Sequence, residues 1–210
     1  MTDEAAFWNK LADSYAQKPV ANPEAFERKI AITRARLKKH DIVLDVGCGT
    51  GSLALRLAPY AAHVYGLDVS REMLRIAKGK ATTLGVENVS FVEGRLADVA
   101  LQPGTLDGLC AFSLLHLVSD RSETLKRIYD LLKPGGFFIS STVCLGESWA
   151  PYAPILRVMR WLGKAPNVLV FSKAALVSDI ERAGFVELSQ PEVGAAPTIA
   201  FMVAIKQAAS

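Results

Sequence analysis

Residues 43–51 read VLDVGCGTG, and this run decides the fold. An apolar strand ends in a carboxylate, Asp45, and a turn with a glycine at every second position follows: Gly47, Gly49 and Gly51. Glycines let the backbone turn sharply, approach a bound molecule closely and bring the next helix against the strand. The run therefore predicts a site for a nucleotide-like ligand. A dinucleotide fingerprint, G-x-G-x-x-G, would need its third glycine where this chain has Ser52.

A second apolar stretch, residues 62–70 (AHVYGLDVS), also ends in a carboxylate, and Asp68 lies 21 residues after Gly47. An acid about 20 residues beyond such a glycine turn lies at the tip of the neighbouring strand, where it accepts hydrogen bonds from ribose hydroxyls. We therefore predict that Asp68 binds a ribose. The alternative role, N-cap of the next helix, suits Ser70 better.

These segments resemble the class I S-adenosylmethionine-dependent methyltransferases, whose first motif is an apolar strand followed by D/E-x-G-x-G-x-G. Residues 131–140 (LLKPGGFFIS) are similar to that family's turn before its fifth strand. The resemblance covers about residues 41–206 and is greatest to the small-molecule enzymes of ubiquinone and menaquinone biosynthesis. It implies S-adenosyl-L-methionine as cofactor, S-adenosyl-L-homocysteine as product and in-line methyl transfer to a small-molecule acceptor. Acceptors vary widely in this group, and a hydrophobic one is among the options.

The resemblance also implies cofactor contacts along the chain. They come from the glycine turn and the neighbouring strand ends: Asp45, Gly47, Cys48, Gly49, Gly51, Asp68, Val69, Met73, Leu96, Ala111 and Phe112. Tyr15, in a leader that folds over the cofactor in related enzymes, is the candidate lid residue. Arg95 stands where the family commonly carries an Asp that accepts from the adenine amino group. Arginine has no acceptor, so that bond is missing, comes from Asp98 or is replaced by stacking of the guanidinium on the purine.

His116, in residues 111–117 (AFSLLHL), is the candidate catalytic base. It follows the predicted fourth strand, and the ligand crevice of an open α/β sheet lies outside the carboxyl ends of its strands. A base is needed only when the acceptor must lose a proton. The alternative is a structural histidine, because the family often uses an L-H-x-L/V histidine in that way.

Strand and helix patterns alternate from residue 41 to about 141, which predicts a parallel sheet covered by helices on both faces. We predict strands at 42–46, 63–68, 89–93, 106–112, 136–143, 185–188 and 198–206, and helices at 23–39, 51–60, 70–84, 120–132 and 173–183. The last two strands follow one another without a helix and should pair antiparallel. The resemblance implies a doubly wound, Rossmann-like sheet of seven strands in the order 3-2-1-4-5-7-6, with strand 7 antiparallel.

We predict one methyltransferase domain over residues 1–210, because 210 residues, half of them apolar, can fill one core. Its parts are an N-terminal helical lid (1–40), a cofactor-binding core (41–143), a cap insertion (144–171) and a C-terminal helix with two strands (172–210).

Residues 155–164 of the cap insertion are predicted to form a basic amphipathic helix. At 100° per residue Arg157, Arg160 and Lys164 share one face, and apolar side chains occupy most of the remainder. Three interpretations are open: an ordinary cap over the active site, an apolar pocket for a hydrophobic acceptor, or peripheral contact with an anionic membrane.

Composition limits the other partners. A net charge of +3 is too small to indicate nucleic acid. Three cysteines, without C-x-x-C or histidine spacing, predict reduced thiols and no metal site. Without a long apolar run or a secretory signal, we expect a cytoplasmic protein. Two other functions stay open: a cofactor-binding module without turnover that acts on a membrane or protein partner, and a nicotinamide-dependent reductase, which Ser52 disfavours.

Overall fold

A computed structural model describes residues 3–208 of the protein. The strands are β1 (Ile42–Val46), β2 (His63–Asp68), β3 (Val89–Glu93), β4 (Leu106–Phe112), β5 (Leu132–Val143), β6 (Phe185–Ser189) and β7 (Ile199–Lys206). The helices are α1 (Asp3–Gln17), α2 (Pro23–Arg34), α3 (Ser52–Leu57), α4 (Arg71–Leu84), α5 (Arg121–Leu131), α6 (Tyr152–Trp161) and α7 (Lys173–Arg182), and a 3-10 turn at Ala58–Tyr60 follows α3.

The seven strands form one sheet in the order β3-β2-β1-β4-β5-β7-β6. The strands from β1 to β5 pair in parallel, and β7 pairs antiparallel with both β5 and β6. The predicted sheet order and the reversed last strand are confirmed. The order reverses between β1 and β4, which is the point where open α/β sheets bind ligands.

Each face of the sheet has its own apolar core. On one face, Leu125 and Ile128 of α5 and Leu176 of α7 pack with Leu109 and Phe138 of the sheet. On the other face the apolar sides of α2, α3 and α4 pack against the sheet. All four residues of β1 from Val43 are buried, because this central strand is covered on both sides.

Three predicted boundaries are wrong. The second helix ends at Arg34 rather than at residue 39, because the Lys38 N–H donates to Asp41 Oδ2 at 2.8 Å in a turn that competes with the helix. The fifth strand begins at Leu132, which already pairs with Leu106. The basic helix is α6, which begins three residues earlier than expected and ends before Lys164.

The three cysteines, Cys48, Cys110 and Cys144, are buried free thiols, as predicted. Within residues 3–208, no helix is both long and apolar enough to cross a membrane.

Candidate active site

A cavity of about 690 Å³ opens at the carboxyl ends of β1, β2 and β4, where the strand order reverses. Small-molecule sites typically enclose roughly 300–1,000 Å³. Many of the predicted site residues line it: Tyr15, Gly47, Gly49, Asp68, Val69, Met73, Arg95, Leu96, Phe112 and His116. The fold therefore brings distant parts of the sequence to one place.

The three glycines of the turn have different surroundings, although each has a positive φ, of 70°, 53° and 76° for Gly47, Gly49 and Gly51. A Cβ at Gly49 would meet no atom within 4 Å, so this bare backbone faces open space in the cavity. A Cβ at Gly51 would lie 2.8 Å from Phe91 Cζ and 2.9 Å from Ala77 Cβ. Gly49 therefore leaves room for a ligand, and Gly51 permits close packing.

Asp68, at the end of β2, lies directly against the glycine turn. Its Oδ2 accepts from the Gly49 N–H at 2.8 Å and its Oδ1 accepts from the Ser70 N–H at 2.9 Å. Burial raises the pKa of Asp68, and these N–H donors oppose the shift. A carboxylate offers about four acceptor positions, so each oxygen keeps capacity for a ligand hydroxyl.

The side chains of Asp45, Cys48 and Ala111, all expected to contact the cofactor, lie in the protein core and do not line the cavity. Asp45 is 1% exposed, and burial, with the nearby Asp68 charge, raises its pKa to about 8. Burial also raises the pKa of the Cys48 thiol, which disfavours the reactive thiolate. Gly51 lies outside the cavity lining as well.

Helix α1 forms one wall of the cavity through Glu4, Trp8 and Tyr15. Intervals of four and seven residues place these side chains on one helix face. The rings of Trp8 and Tyr15 meet edge to face, with centroids 6.5 Å apart. The sequence analysis missed Glu4 and Trp8 as site residues, although this helical spacing from Tyr15 would have found them.

Hydrogen bonds hold α1 on the first turn of α4. Asn9 Oδ1 accepts from Ser70 Oγ at 2.8 Å and from the Glu72 N–H at 3.2 Å. Arg75 also pairs with Asp13 at 2.9 Å. Helix α1 is therefore anchored two residues from Asp68.

Arg95 and Leu96 begin the loop between β3 and β4 and line the cavity. Arg95 donates to both carboxylate oxygens of Asp98, at 2.7 and 3.1 Å. Asp98 does not line the cavity, so the arrangement disfavours Asp98 as the acceptor for an adenine amino group. Arg127 holds the far part of this loop by donating to the carbonyls of Val99 and Leu101.

His116 lies in the other half of the cavity, after β4. Burial lowers its pKa to about 4, so the imidazole is neutral near pH 7 and can accept a proton. Its Nδ1 is buried and has no hydrogen-bond partner among the described residues. Its carbonyl accepts from the Leu169 N–H at 2.7 Å, which ties the histidine to the end of the cap insertion.

The second half of the cavity contains several residues that the sequence analysis missed. Its lining is mixed: apolar side chains come from Leu114, Leu117, Val118, Pro166 and Val168, and polar or charged ones come from Ser119, Asp120, Glu123, Thr124 and Arg127. Ser113 also lines the cavity and has a φ of 55°, a conformation that non-glycine residues adopt at a cost in strain, often at functional sites. No residue of α6 lines the cavity. The segment after that helix reaches the cavity instead, through Pro166 and Val168.

Together these residues fit the cofactor that the sequence resemblance implies. Gly49 offers unobstructed backbone, Asp68 offers acceptors for ribose hydroxyls, and Met73 and Leu96 offer buried apolar surface. Within the described part of the chain, no group of three or more histidine, cysteine or acidic residues could hold a metal ion.

Comparisons with known proteins agree with this geometry. A family model described as "Methyltransferase domain" matches residues 37–176. The chain is 30% identical over 156 residues to the uncharacterized methyltransferase YcgJ of Bacillus subtilis, a match that covers 74% of this chain and 59% of that protein. It is 31% identical over 169 residues to a demethylmenaquinone methyltransferase of Anoxybacillus flavithermus, covering 75% of this chain and 70% of that protein.

Among solved structures, the crystal structure of the Bacillus YcgJ protein superposes with a TM-score of 0.72 at 18% identity, covering 87% of this chain and 100% of that one. At this identity the superposition supports the fold alone.

Proposed function

We propose that this chain, which belongs to the methyltransferase domain family, transfers a methyl group from S-adenosylmethionine to a small, largely apolar acceptor and releases S-adenosylhomocysteine. When bound, the cofactor supplies an electrophilic methyl group on a positively charged sulfur. The observation that carries the proposal is one continuous cavity that joins the bare backbone of Gly49 and the carboxylate of Asp68 to an apolar region around His116.

The half of the cavity beside β1 and β2 suits the donor. Asp68 would accept hydrogen bonds from the ribose hydroxyls, and Gly49 leaves space above its backbone. Met73 and Leu96 would offer apolar surface to the adenosyl group, and Arg95 would lie beside the purine. Tyr15 of α1 excludes water from this side, which favours transfer to the acceptor over reaction with solvent.

The half of the cavity beyond β4 suits the acceptor. Its apolar surface comes from Leu114, Leu117, Val118, Pro166 and Val168, and Ser119, Asp120, Glu123, Thr124 and Arg127 add polar and charged groups. The apolar surface binds a hydrophobic ring or chain by removing it from water. The Anoxybacillus relative is named for a quinone substrate, demethylmenaquinone, which is an acceptor of this chemical kind.

Positioning supplies much of the rate in such a reaction, because holding two reactants in line makes their encounter intramolecular. His116 is placed to accept a proton from an acceptor that must lose one. Its pKa of about 4 makes it a weak base, so its contribution is greatest for acidic acceptors such as phenols and quinols.

A labelled-donor screen tests this function. The protein is incubated with methyl-labelled S-adenosylmethionine and a panel of hydroquinones with and without apolar chains, amines and thiols, and label in each acceptor is counted. We expect label in an apolar acceptor, with Asp68→Ala as the low-turnover control. Saturable cofactor binding with no label in any acceptor would support instead a binding module without turnover.

A further inference from the structure

Helix α6 exposes both its apolar and its cationic side chains. No residue of the helix is buried, and Ile155, Val158 and Met159 are all exposed, as is Leu162 just after it. An amphipathic helix of a globular protein normally turns its apolar stripe toward the core. This helix does not, so its apolar stripe is available for another surface.

The two chemical faces of α6 point in opposite directions. At 100° per residue the apolar residues Ile155, Val158, Met159 and Leu162 cluster around one direction, and Arg157 and Arg160 lie roughly opposite. Tyr152 and Leu156, which are half-buried, lie between the two faces. The helix therefore rests on the domain along a flank, with the apolar stripe and the cations on either side of the contact.

Two tryptophans lie at the ends of this helix, Trp149 just before it and Trp161 as its last residue, and both are almost fully exposed. Trp149 is 96% exposed and Trp161 is 85% exposed. Tryptophan is costly to leave in water and is enriched where an apolar phase meets water, as in the headgroup region of a bilayer. We call the whole set the cap surface: Trp149, Ile155, Arg157, Val158, Met159, Arg160, Trp161, Leu162 and Lys164.

The stretch of sequence that carries the cap surface has charges of one sign, between Glu147 and Asp179. Residues 148–178 contain no Asp or Glu, and they contain four cations: Arg157, Arg160, Lys164 and Lys173. A second copy of the chain would have to supply a matching acidic and apolar face, whereas an anionic bilayer supplies both a negative headgroup layer and an apolar interior. Basic amphipathic helices with tryptophan bind such interfaces in this way.

We propose that the cap surface docks the protein on an anionic lipid bilayer. The apolar stripe and the two tryptophans enter the headgroup boundary, and the three cations contact lipid phosphates. The segment that continues from this surface, Pro166 to Val168, lines the cavity, so docking places the apolar half of the cavity beside the bilayer. Docking does not require turnover and stands or falls separately from the proposed function.

Vesicle sedimentation tests the docking. The full chain is mixed with vesicles of phosphatidylcholine alone or with 30% phosphatidylglycerol, for example, a composition chosen for its negative charge. We expect binding to the anionic vesicles with a blue shift of tryptophan fluorescence. Each cation near an anionic surface adds about fivefold, so Arg157→Gln/Arg160→Gln/Lys164→Gln should bind about 100-fold more weakly.

Two further variants make the test decisive. Trp149→Ser/Trp161→Ser, which changes only exposed side chains, should lose the blue shift and bind about tenfold more weakly or worse. The control for the triple cation variant is Arg36→Gln/Lys38→Gln/Lys126→Gln, which removes three exposed cations elsewhere and should bind nearly as the natural chain does. Equal binding to neutral and anionic vesicles, or full binding by the tryptophan variant, would overturn the proposal. So would a dimer in solution that the tryptophan variant dissociates, which would assign the surface to a second copy.

Discussion

Replacing Gly49 with valine is expected to abolish binding of S-adenosylhomocysteine while the protein stays folded. Gly49 has a φ of 53°, and a Cβ there would meet no protein atom within 4 Å. The valine side chain would therefore extend into the cavity space that the proposed ligand needs, instead of into the core. The substitution should therefore weaken binding because the valine side chain fills cavity volume. It should lower stability only because valine is strained in the left-handed backbone conformation.

The magnitude of the stability effect follows from the left-handed backbone. An L-residue in that conformation costs about 1–2 kcal/mol relative to glycine. Gly104 supplies a matched control, because its φ is 66°, a Cβ there also meets nothing within 4 Å, and it does not line the cavity. Both valine variants should lose about 1–2 kcal/mol of unfolding free energy, and only Gly49→Val should lose affinity, by about 100-fold or more if it displaces a ligand contact worth about 3 kcal/mol.

Urea unfolding and calorimetric titration measure these two effects on the same samples. The predicted pattern is equal destabilisation of the two variants with ligand binding retained only by Gly104→Val. Normal affinity in folded Gly49→Val would refute the placement of the ligand over this turn. Loss of affinity in both variants would show that binding responds to general destabilisation instead of to cavity volume.

Asp68→Ala should weaken cofactor binding by about 1.5–3 kcal/mol, the range for hydrogen bonds to a charged group, as measured by calorimetry against Asp130→Ala, an exposed carboxylate away from the cavity. His116→Ala should lower turnover of a quinol acceptor by about 10²-fold or more with cofactor affinity unchanged, as steady-state kinetics would measure. Asp45→Asn should remove the contribution of this one carboxyl to the pH dependence of stability. The folded pKa of Asp45, about 8, lies above its ordinary value of 3.8, so its folded form keeps a proton that the unfolded chain loses. The unfolding free energy of the natural chain should therefore fall relative to that of Asp45→Asn by about 1.4 kcal/mol per pH unit between pH 5 and 7, as urea unfolding at several pH values would measure.

Each of these expectations has a contrary outcome. Unchanged cofactor affinity in Asp68→Ala would remove the ribose assignment. Full turnover by His116→Ala would leave the histidine with a structural role. A pH slope of unfolding in Asp45→Asn as steep as in the natural chain would assign that slope to other groups.

Most strand positions were predictable because local patterns determine them, and the sheet order followed from the family resemblance. The apolar run that ends at Asp45, the second that ends at Asp68 and the alternation with helices leave few topologies for a parallel sheet. The end of α2 was not predictable from composition, because a side-chain hydrogen bond from Asp41 ends the helical run.

The sequence motifs identified which segments form the candidate site, but they did not identify which side chains in those segments face the cavity. The glycine motif contains both Gly49, which faces the cavity, and Cys48, whose thiol lies in the core. Pro166 and Val168 reach the cavity only through the tertiary path of the cap insertion, which no local pattern specifies. The pattern of α6 correctly indicated amphipathicity, but it did not indicate that the helix leaves its apolar stripe exposed.

A crystal structure of the protein with S-adenosylhomocysteine would show directly where the cofactor binds. We expect the adenosyl group in the cavity, with the ribose hydroxyls within hydrogen-bonding distance of the Asp68 carboxylate and the ligand passing over Gly49. Electron density for the ligand elsewhere, or an empty cavity at a saturating ligand concentration, would contradict this expectation.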